Sequence, residues 1–257
     1  LRGAVSAGPP VLLTFAPMVD SELSRLVLGH HGVAYQERDH LFGWVSLLTL
    51  FRGGYGRIPL LHGGGFRATG PLKIAARLDA AAPADRRLIP ANGPLAAQVG
   101  ADTDRFNGQL AIDVATFAYF HLLPERELMT QVFQAPLPPR EARIMPHVYR
   151  PTRLLFRLLL RLGPERAAAA RTRIVRTFSD VDQRLATGRD VLAGERLTLA
   201  DLSLMASTAP ILLPEGYGAV MPPPERLPAP LRTLRDELLG TVTAAWVQHR
   251  YRALRPP

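Results

Sequence analysis

The segment Arg57-Ile58-Pro59-Leu60-Leu61 constrains the fold more than any other part of the chain. It reads as a short apolar strand broken by a proline. Proline has no N–H to give to a strand ladder, so it is confined to bulges, edges and strand ends, or it follows a cis peptide. The flanking sequence narrows the choice. Val11-Leu12-Leu13-Thr14-Phe15 is a buried strand followed by a helix. Gly63-Gly64-Gly65 is a tight hairpin turn, Phe66 to Thr69 is its returning strand, and Pro71 opens a helix running to about Leu78. A cis Ile58–Pro59 bond facing a cleft is the expectation.

Punctuation fills in the rest. Asp20 or Ser21 is placed to cap a helix that ends near His31, where Gly32 stops it. Ala34 to Arg38 reads as a second strand and Phe42 to Phe51 as a short irregular helix. The order is βαβ, loop, ββα. Ala81 to Pro94 is rich in Ala, Pro, Asn and Gly and reads as a linker. Beyond it the strand pattern disappears, and helices are expected at about 95–122, 124–132, 143–162, 164–187, 199–213 and 229–252. Residues 1–10 are thus expected to be a flexible lead, 11–80 an α/β domain, 81–94 a linker and 95–257 an all-helical domain. The helix after Leu197 carries the sharpest local signal. Thr198 and Asp201 have capping-box spacing, and Leu197 and Leu202 have that of a hydrophobic staple.

Composition excludes more than it identifies. The 257 residues include no cysteine, so disulfides, thiolate metal sites and a cysteine nucleophile are out. No His, Asp and Glu set has metal-ligand spacing, and His30 and His31, being adjacent, point apart on a helix. Gly53-Gly54-Tyr55-Gly56 lies in neither a GxGxxG nor a P-loop pattern. No apolar run is long enough to cross a bilayer and Leu1 to Pro10 has no leader-like core, so a cytoplasmic protein is expected. The net charge is +9, and residues 140–176 alone carry +8. There Arg150, Arg153, Arg157 and Arg161 recur at helical spacing, with Leu154, Leu155, Leu158, Leu159 and Leu162 on the other side. The expected helix turns its leucines inward and its arginines to solvent, the alternative being a nucleic-acid or membrane-surface patch. No stacking aromatics accompany the arginines, so nucleic acid is not expected as a partner.

In this order the pieces resemble the cytosolic glutathione transferase superfamily. Arg25 to Tyr35 is similar to its first helix and second strand, and Ile58-Pro59-Leu60-Leu61 to its cis-proline strand. Leu88-Ile89-Pro90 is similar to the linker entry, and Leu197 to Leu202 to the capping-box helix. Ala118 to Pro124, Ala209 to Gly218 and His249 to Arg252 resemble a bacterial subgroup of transferase-like proteins. The resemblance implies an α/β thioredoxin-like N-terminal domain followed by an all-α helical domain, with glutathione as cofactor and a homodimer as the assembly.

Carried over residue by residue, the functional positions depart from that pattern. The hydroxyl or thiol that activates glutathione falls on Met18, which cannot donate a hydrogen bond. Ser21 is the nearest hydroxyl at the helix start. The acid-Ser pair that anchors the γ-glutamyl end falls on Gly70 and Pro71, with Thr69 beside them. Ile58 and Pro59 keep the backbone site, and Arg57 precedes it. The resemblance makes Met18, Val19, Asn107, Phe117, Tyr149 and Tyr217 lining residues of the acceptor pocket. Asp113 on the same helix as Asn107 is a further acid or base candidate. Three readings follow. The first is an enzyme that conjugates or isomerises a hydrophobic electrophile with thiol assistance, glutathione being held weakly. The second is a glutathione-independent isomerase, cyclase or small-molecule binding protein. The third is a non-enzymatic interaction module using the arginine-rich helices.

Overall fold

The computed structural model describes residues 8–255. Of the expected flexible lead, residues 1–7 lie outside the described residues; Pro10 is buried and its carbonyl accepts from Gln36 N–H at 2.9 Å. The first unit is β1 (Val11–Thr14), α1 (Val19–His30), β2 (Gln36–Asp39), α2 (Trp44–Phe51), β3 (Leu60–Gly63), β4 (Phe66–Thr69) and α3 (Pro71–Asp79). The sheet order is β2-β1-β3-β4, with β1 parallel to β2 and antiparallel to β3, and β3 antiparallel to β4. Leu12, Leu13, Leu60 and Leu61 are wholly buried between the sheet's helices. β2 starts two residues later than expected, because its register is set by pairing Gln36 with Val11. The strand begins after Pro59, not through it, since only from Leu60 onward is there an N–H for the ladder.

The second unit is helical: α4 (Gly93–Thr103), α5 (Ala111–Leu122), α6 (Arg126–Gln134), α7 (Pro139–Leu159), α8 (Pro164–Leu185), α9 (Leu199–Leu212), α10 (Ala229–Leu239) and α11 (Val242–Leu254). The thioredoxin-like α/β domain followed by a helical domain is therefore the observed architecture. Two expected helices are not single. A π-helical stretch, Asp104–Leu110, joins α4 to α5, and its Phe106 carbonyl accepts from the Ser207 hydroxyl at 2.8 Å. The expected 229–252 helix breaks at Gly240, and Thr241 caps the new helix by accepting from Ala244 N–H at 3.1 Å.

The two units are joined through a buried charge cluster. Arg25, 2% exposed, donates to Glu37 at 2.6 Å, to Glu22 at 3.0 Å and to the Ala16 carbonyl at 3.2 Å. Glu22, wholly buried, also accepts from the Tyr251 hydroxyl of α11 at 3.1 Å and from Gly218 N–H at 3.2 Å. One α1 carboxylate thus holds both α11 and the loop after α9. Every donor it meets is fixed, as a buried charge requires.

α7 departs most from expectation. It begins at Pro139, a residue suited to the first helical position, and carries Pro146 and Pro151 inside it. Met145, Tyr149 and Phe156 make its buried face. Its leucines do not turn inward: Leu154, Leu155, Leu158 and Leu159 are 57, 39, 66 and 59% exposed. α2 is similar, with Trp44, Leu47, Leu50 and Phe51 exposed.

Candidate functional site

The ladders bring the ends of several elements together. Leu13 pairs with Leu60 and Leu60 with Thr69, so the end of β1, the Pro59 entry to β3 and the end of β4 share one edge of the sheet. α1 and α3 start from the same edge. The Ile58–Pro59 peptide is cis, and the Pro59 carbonyl accepts from Gly70 N–H at 2.8 Å. No hydrogen bond uses Ile58 N–H or C=O among the described residues. Gly70 is the N-cap of α3 with φ of 78°, a left-handed conformation that a glycine takes without strain and an acidic residue does not. Pro71 then removes one of the helix's free amides.

Beside this edge is an apolar cavity of about 270 Å³. Its floor is Pro17, Met18, Val19 and Asp20 at the start of α1. Its walls are Asn107, Ala111, Ile112, Ala115 and Tyr119 of the π stretch and α5, Met129 and Val132 of α6, and Phe156, Leu159 and Leu160 at the end of α7. Phe42 closes one side, its ring 4.8 Å from that of Phe156. Met18 is the N-cap of α1 and gives no side-chain hydrogen bond, and the first amide engaged by the turn is that of Ser21. The Val19 and Asp20 amides are left free at the cavity floor, the ordinary state of a helix N-terminus.

Three polar side chains line this cavity. Among the described residues the buried Tyr119 hydroxyl has no hydrogen-bond partner, and neither has Asn107 Oδ1. Burial pushes the Tyr119 pKa well above the usual phenol value, so the group stays protonated and acts as a donor, not a base. Burial also raises the Asp20 carboxyl pKa, against the opposing hydrogen bond from the Asn107 side chain.

The structure thus brings Met18, Val19 and Asn107 together and parts them from the other expected residues. Ser21 is wholly buried and donates to the Phe15 carbonyl at 2.9 Å, so its proton is turned away from the cavity. Asp113 is 2% exposed and locked to Arg173 by bonds of 2.6 and 2.9 Å; it is a structural ion pair, not an acid or base at the cavity. Phe117 faces a different cleft with His121. Tyr149 donates to the Leu123 carbonyl at 2.8 Å inside the α6–α7 core, its pKa pushed up to about 12 by burial. Tyr217 does not line the cavity; the residue is half-buried, and its buried hydroxyl is also unpartnered among the described residues. Arg57 is exposed. Thr69 and Gly70 lie at the sheet edge and do not line the cavity.

Comparison with solved structures aligns with this arrangement over nearly the whole chain. A glutathione S-transferase from Sinorhizobium meliloti superposes with a TM-score of 0.55 at 17% identity, covering 97% of this chain and 96% of its own. This is the glutathione transferase fold. The β-etherase LigF from a Sphingobium strain shares that fold with a TM-score of 0.58 at 15% identity, over 94% of this chain and 99% of its own. FzlA from C. crescentus shares it at 0.53 and 18%, over 97% and 94%. No protein-family model and no curated relative matches the chain. Within the transferase fold, Tyr119 is the residue that sequence reasoning missed. It stands inside the quoted stretch Ala118 to Pro124, but nothing local distinguishes it from a packing tyrosine. Among the described residues there is no cluster of three groups able to hold a metal and no helix long and apolar enough to cross a membrane.

Proposed function

We propose that this chain is a glutathione transferase-like enzyme whose cavity takes a hydrophobic, electrophilic small molecule. The observation that carries the reading is the buried Tyr119 hydroxyl, unpartnered among the described residues in a mostly apolar cavity at the start of α1 whose other polar side chains are Asn107 and Asp20. An unpaired buried hydroxyl is costly, and a substrate oxygen would satisfy it. Tyr119 donates to a carbonyl or ether oxygen of the bound molecule and draws electron density from the reacting carbon. The apolar walls exclude water, so that hydrogen bond is stronger than it would be in solution. The free Val19 and Asp20 amides favour negative charge developing beside them.

A thiol would supply the nucleophilic sulfur, but the side chains present do not fit glutathione well. Met18 cannot donate to the sulfur, Ser21 is committed to Phe15, and Gly70-Pro71 offers no γ-glutamyl anchor. Only the Ile58 backbone groups remain. Two missing hydrogen bonds to charged ligand groups, at roughly 1.5–3 kcal/mol each, weaken binding by about two to four orders of magnitude. That favours a second reading, the same cavity working without glutathione as an isomerase, cyclase or binding protein.

Titration calorimetry with glutathione, followed by a conjugation assay on an activated chloronitrobenzene, separates the two. Weak binding with turnover supports the first reading, and no binding at millimolar thiol moves the assignment to the second. Under either enzymatic reading Tyr119→Phe should lower kcat by about tenfold or more while holding or raising Tm, because it deletes an unsatisfied buried group. Unchanged kcat in that variant removes Tyr119 from the chemistry. A homodimer completes the proposal. The exposed apolar face of α2, continued by Tyr55 at 83% exposure, is the surface a second copy would cover.

A further inference from the structure

We propose that the second half of α7 is an interfacial anchor that seats the protein on an anionic lipid surface. Three observations carry this. Leu154, Leu155, Leu158 and Leu159 form one exposed side of the helix, 39 to 66% exposed each, with no element among the described residues packed over them. The helix has no need of that face for folding, because Met145, Tyr149 and Phe156 supply its buried side. Arg150 and Arg157, both exposed, flank one side of the leucine face by helical spacing, Arg153 is half-buried on the side away from it, and Arg161 follows the end of the helix. No carboxylate lies within salt-bridge distance of any of the four among the described residues. The segment 140–176 has only Glu141 and Glu165 to set against ten arginines, and Glu141 is spent on His40 and the Leu41 amide.

A leucine face bordered by arginines is the composition of a helix that lies in the headgroup region, its apolar side in the acyl boundary and its cations at the phosphates. The pairing of the two features selects the occupant. A nucleic acid would use the arginines but leave the leucines in water, and the aromatics of α7, Tyr149 and Phe156, are buried and cannot stack on bases. A second copy of the chain would cover the leucines but bring two arginine rows together with almost no acid to separate them. Only an anionic lipid surface satisfies both. Arg153 and Arg157 also line a cleft of about 430 Å³ beside Gly163 and Pro164, large enough to admit a headgroup phosphate; Glu125 on its rim is the one charge that opposes it.

The placement bears on the cavity. Leu159 is shared by the exposed face and the cavity wall, and Ile112, also of the wall, is 49% exposed. The seated protein therefore holds its cavity mouth near the acyl chains, where a hydrophobic ligand is dissolved. The docking itself does not depend on the proposed chemistry and is tested without substrate.

The test is co-sedimentation of the full chain with vesicles of phosphatidylcholine alone and of phosphatidylcholine and phosphatidylglycerol in equal parts. Binding to the mixed vesicles, absent with the neutral ones and weakened by salt, is expected. The double variant Leu154→Ser/Leu158→Ser should lose about tenfold or more of that partitioning with an unchanged circular dichroism spectrum, since both residues are exposed and neither lines the cavity. Arg150→Gln/Arg157→Gln should lose a similar amount and flatten the salt dependence. No binding to mixed vesicles overturns the proposal, as does binding that the leucine substitutions leave intact. A dimer that the leucine substitutions dissociate, or displacement from vesicles by a short duplex RNA, assigns the face to a second copy or to nucleic acid instead and overturns it equally.

Discussion

Asp201→Ala tests how the helical domain is held. Asp201 is wholly buried and makes three short contacts: it accepts from Leu192 N–H at 2.8 Å, from Thr198 N–H at 2.8 Å and from the Thr198 hydroxyl at 2.7 Å. The capping box that Thr198 and Asp201 close is therefore only part of its role. The Leu192 bond fastens the loop that precedes α9, and that loop's Leu192 carbonyl in turn accepts from Arg184 at 2.9 Å. Truncation to alanine leaves the hydroxyl free to turn but strands two backbone amides, those of Leu192 and Thr198, which are 0 and 3% exposed. At about 1–3 kcal/mol for each stranded donor, the loss is about 2–6 kcal/mol, well above the ~1 kcal/mol of an ordinary cap. For a chain of this size that is a fall in Tm of roughly 4–24 °C, at about 2–4 °C per kcal/mol. Urea and thermal unfolding followed by circular dichroism measure it. Thr198→Val, which removes only the hydroxyl, should lose about 1 kcal/mol, and Asp201→Asn, which keeps one acceptor oxygen, should fall between. An Asp201→Ala variant no less stable than Thr198→Val would refute the reasoning, because the loop amide would then have no need of the carboxylate.

Gly218→Ala should destabilise the protein by about 1–3 kcal/mol, the usual range for overpacking. A Cβ there would stand 2.6 Å from Arg25 Cδ and 2.7 Å from Glu22 Oε2, side chains that the charge cluster prevents from moving aside; an unchanged urea midpoint would show that the cluster yields. Asp20 predicts a pH dependence. Its folded pKa is raised by burial above the ordinary 3.8, so the native state holds the proton more tightly than the unfolded chain does. Stability from this group falls as pH rises from 3.8 through the raised value and stays lower above it. Asp20→Asn should therefore be more stable than the parent at neutral pH, with the gap closing as pH falls toward 3.8; a gap independent of pH contradicts this. Sedimentation velocity at micromolar concentration should show a dimer that Phe51→Ser/Tyr55→Ser dissociates, and a monomeric parent would withdraw the assembly proposed for α2.

The architecture was legible because its signals are local. Pro59 ahead of an apolar pair, three glycines at the hairpin, Pro71 at a helix start and Thr198-x-x-Asp201 each state a backbone requirement that few conformations meet. Failures came where a residue's role depends on what is packed against it. Ser21 and Asp113 are polar residues at promising positions, but the Phe15 carbonyl and Arg173 claim them, and both partners are set by tertiary structure. The α7 leucines failed for the opposite reason. Their periodicity specifies a face, yet which face is covered depends on what neighbours exist, and the described residues provide none for that side. Gly240-Thr241 was readable as a stop followed by a cap, and only the continuous apolar pattern across it suggested one helix. Tyr119 shows the boundary most clearly. Its neighbours Phe133 and Phe156 come from α6 and α7, and they enclose its ring without offering its hydroxyl an acceptor. A packing tyrosine normally finds a partner for its hydroxyl, as Tyr149 and Tyr251 do here. The Tyr217 hydroxyl is equally unpartnered but does not line the cavity, so what sets Tyr119 apart is an unmet hydrogen bond at a cavity wall, which exists only once three helices have closed around it.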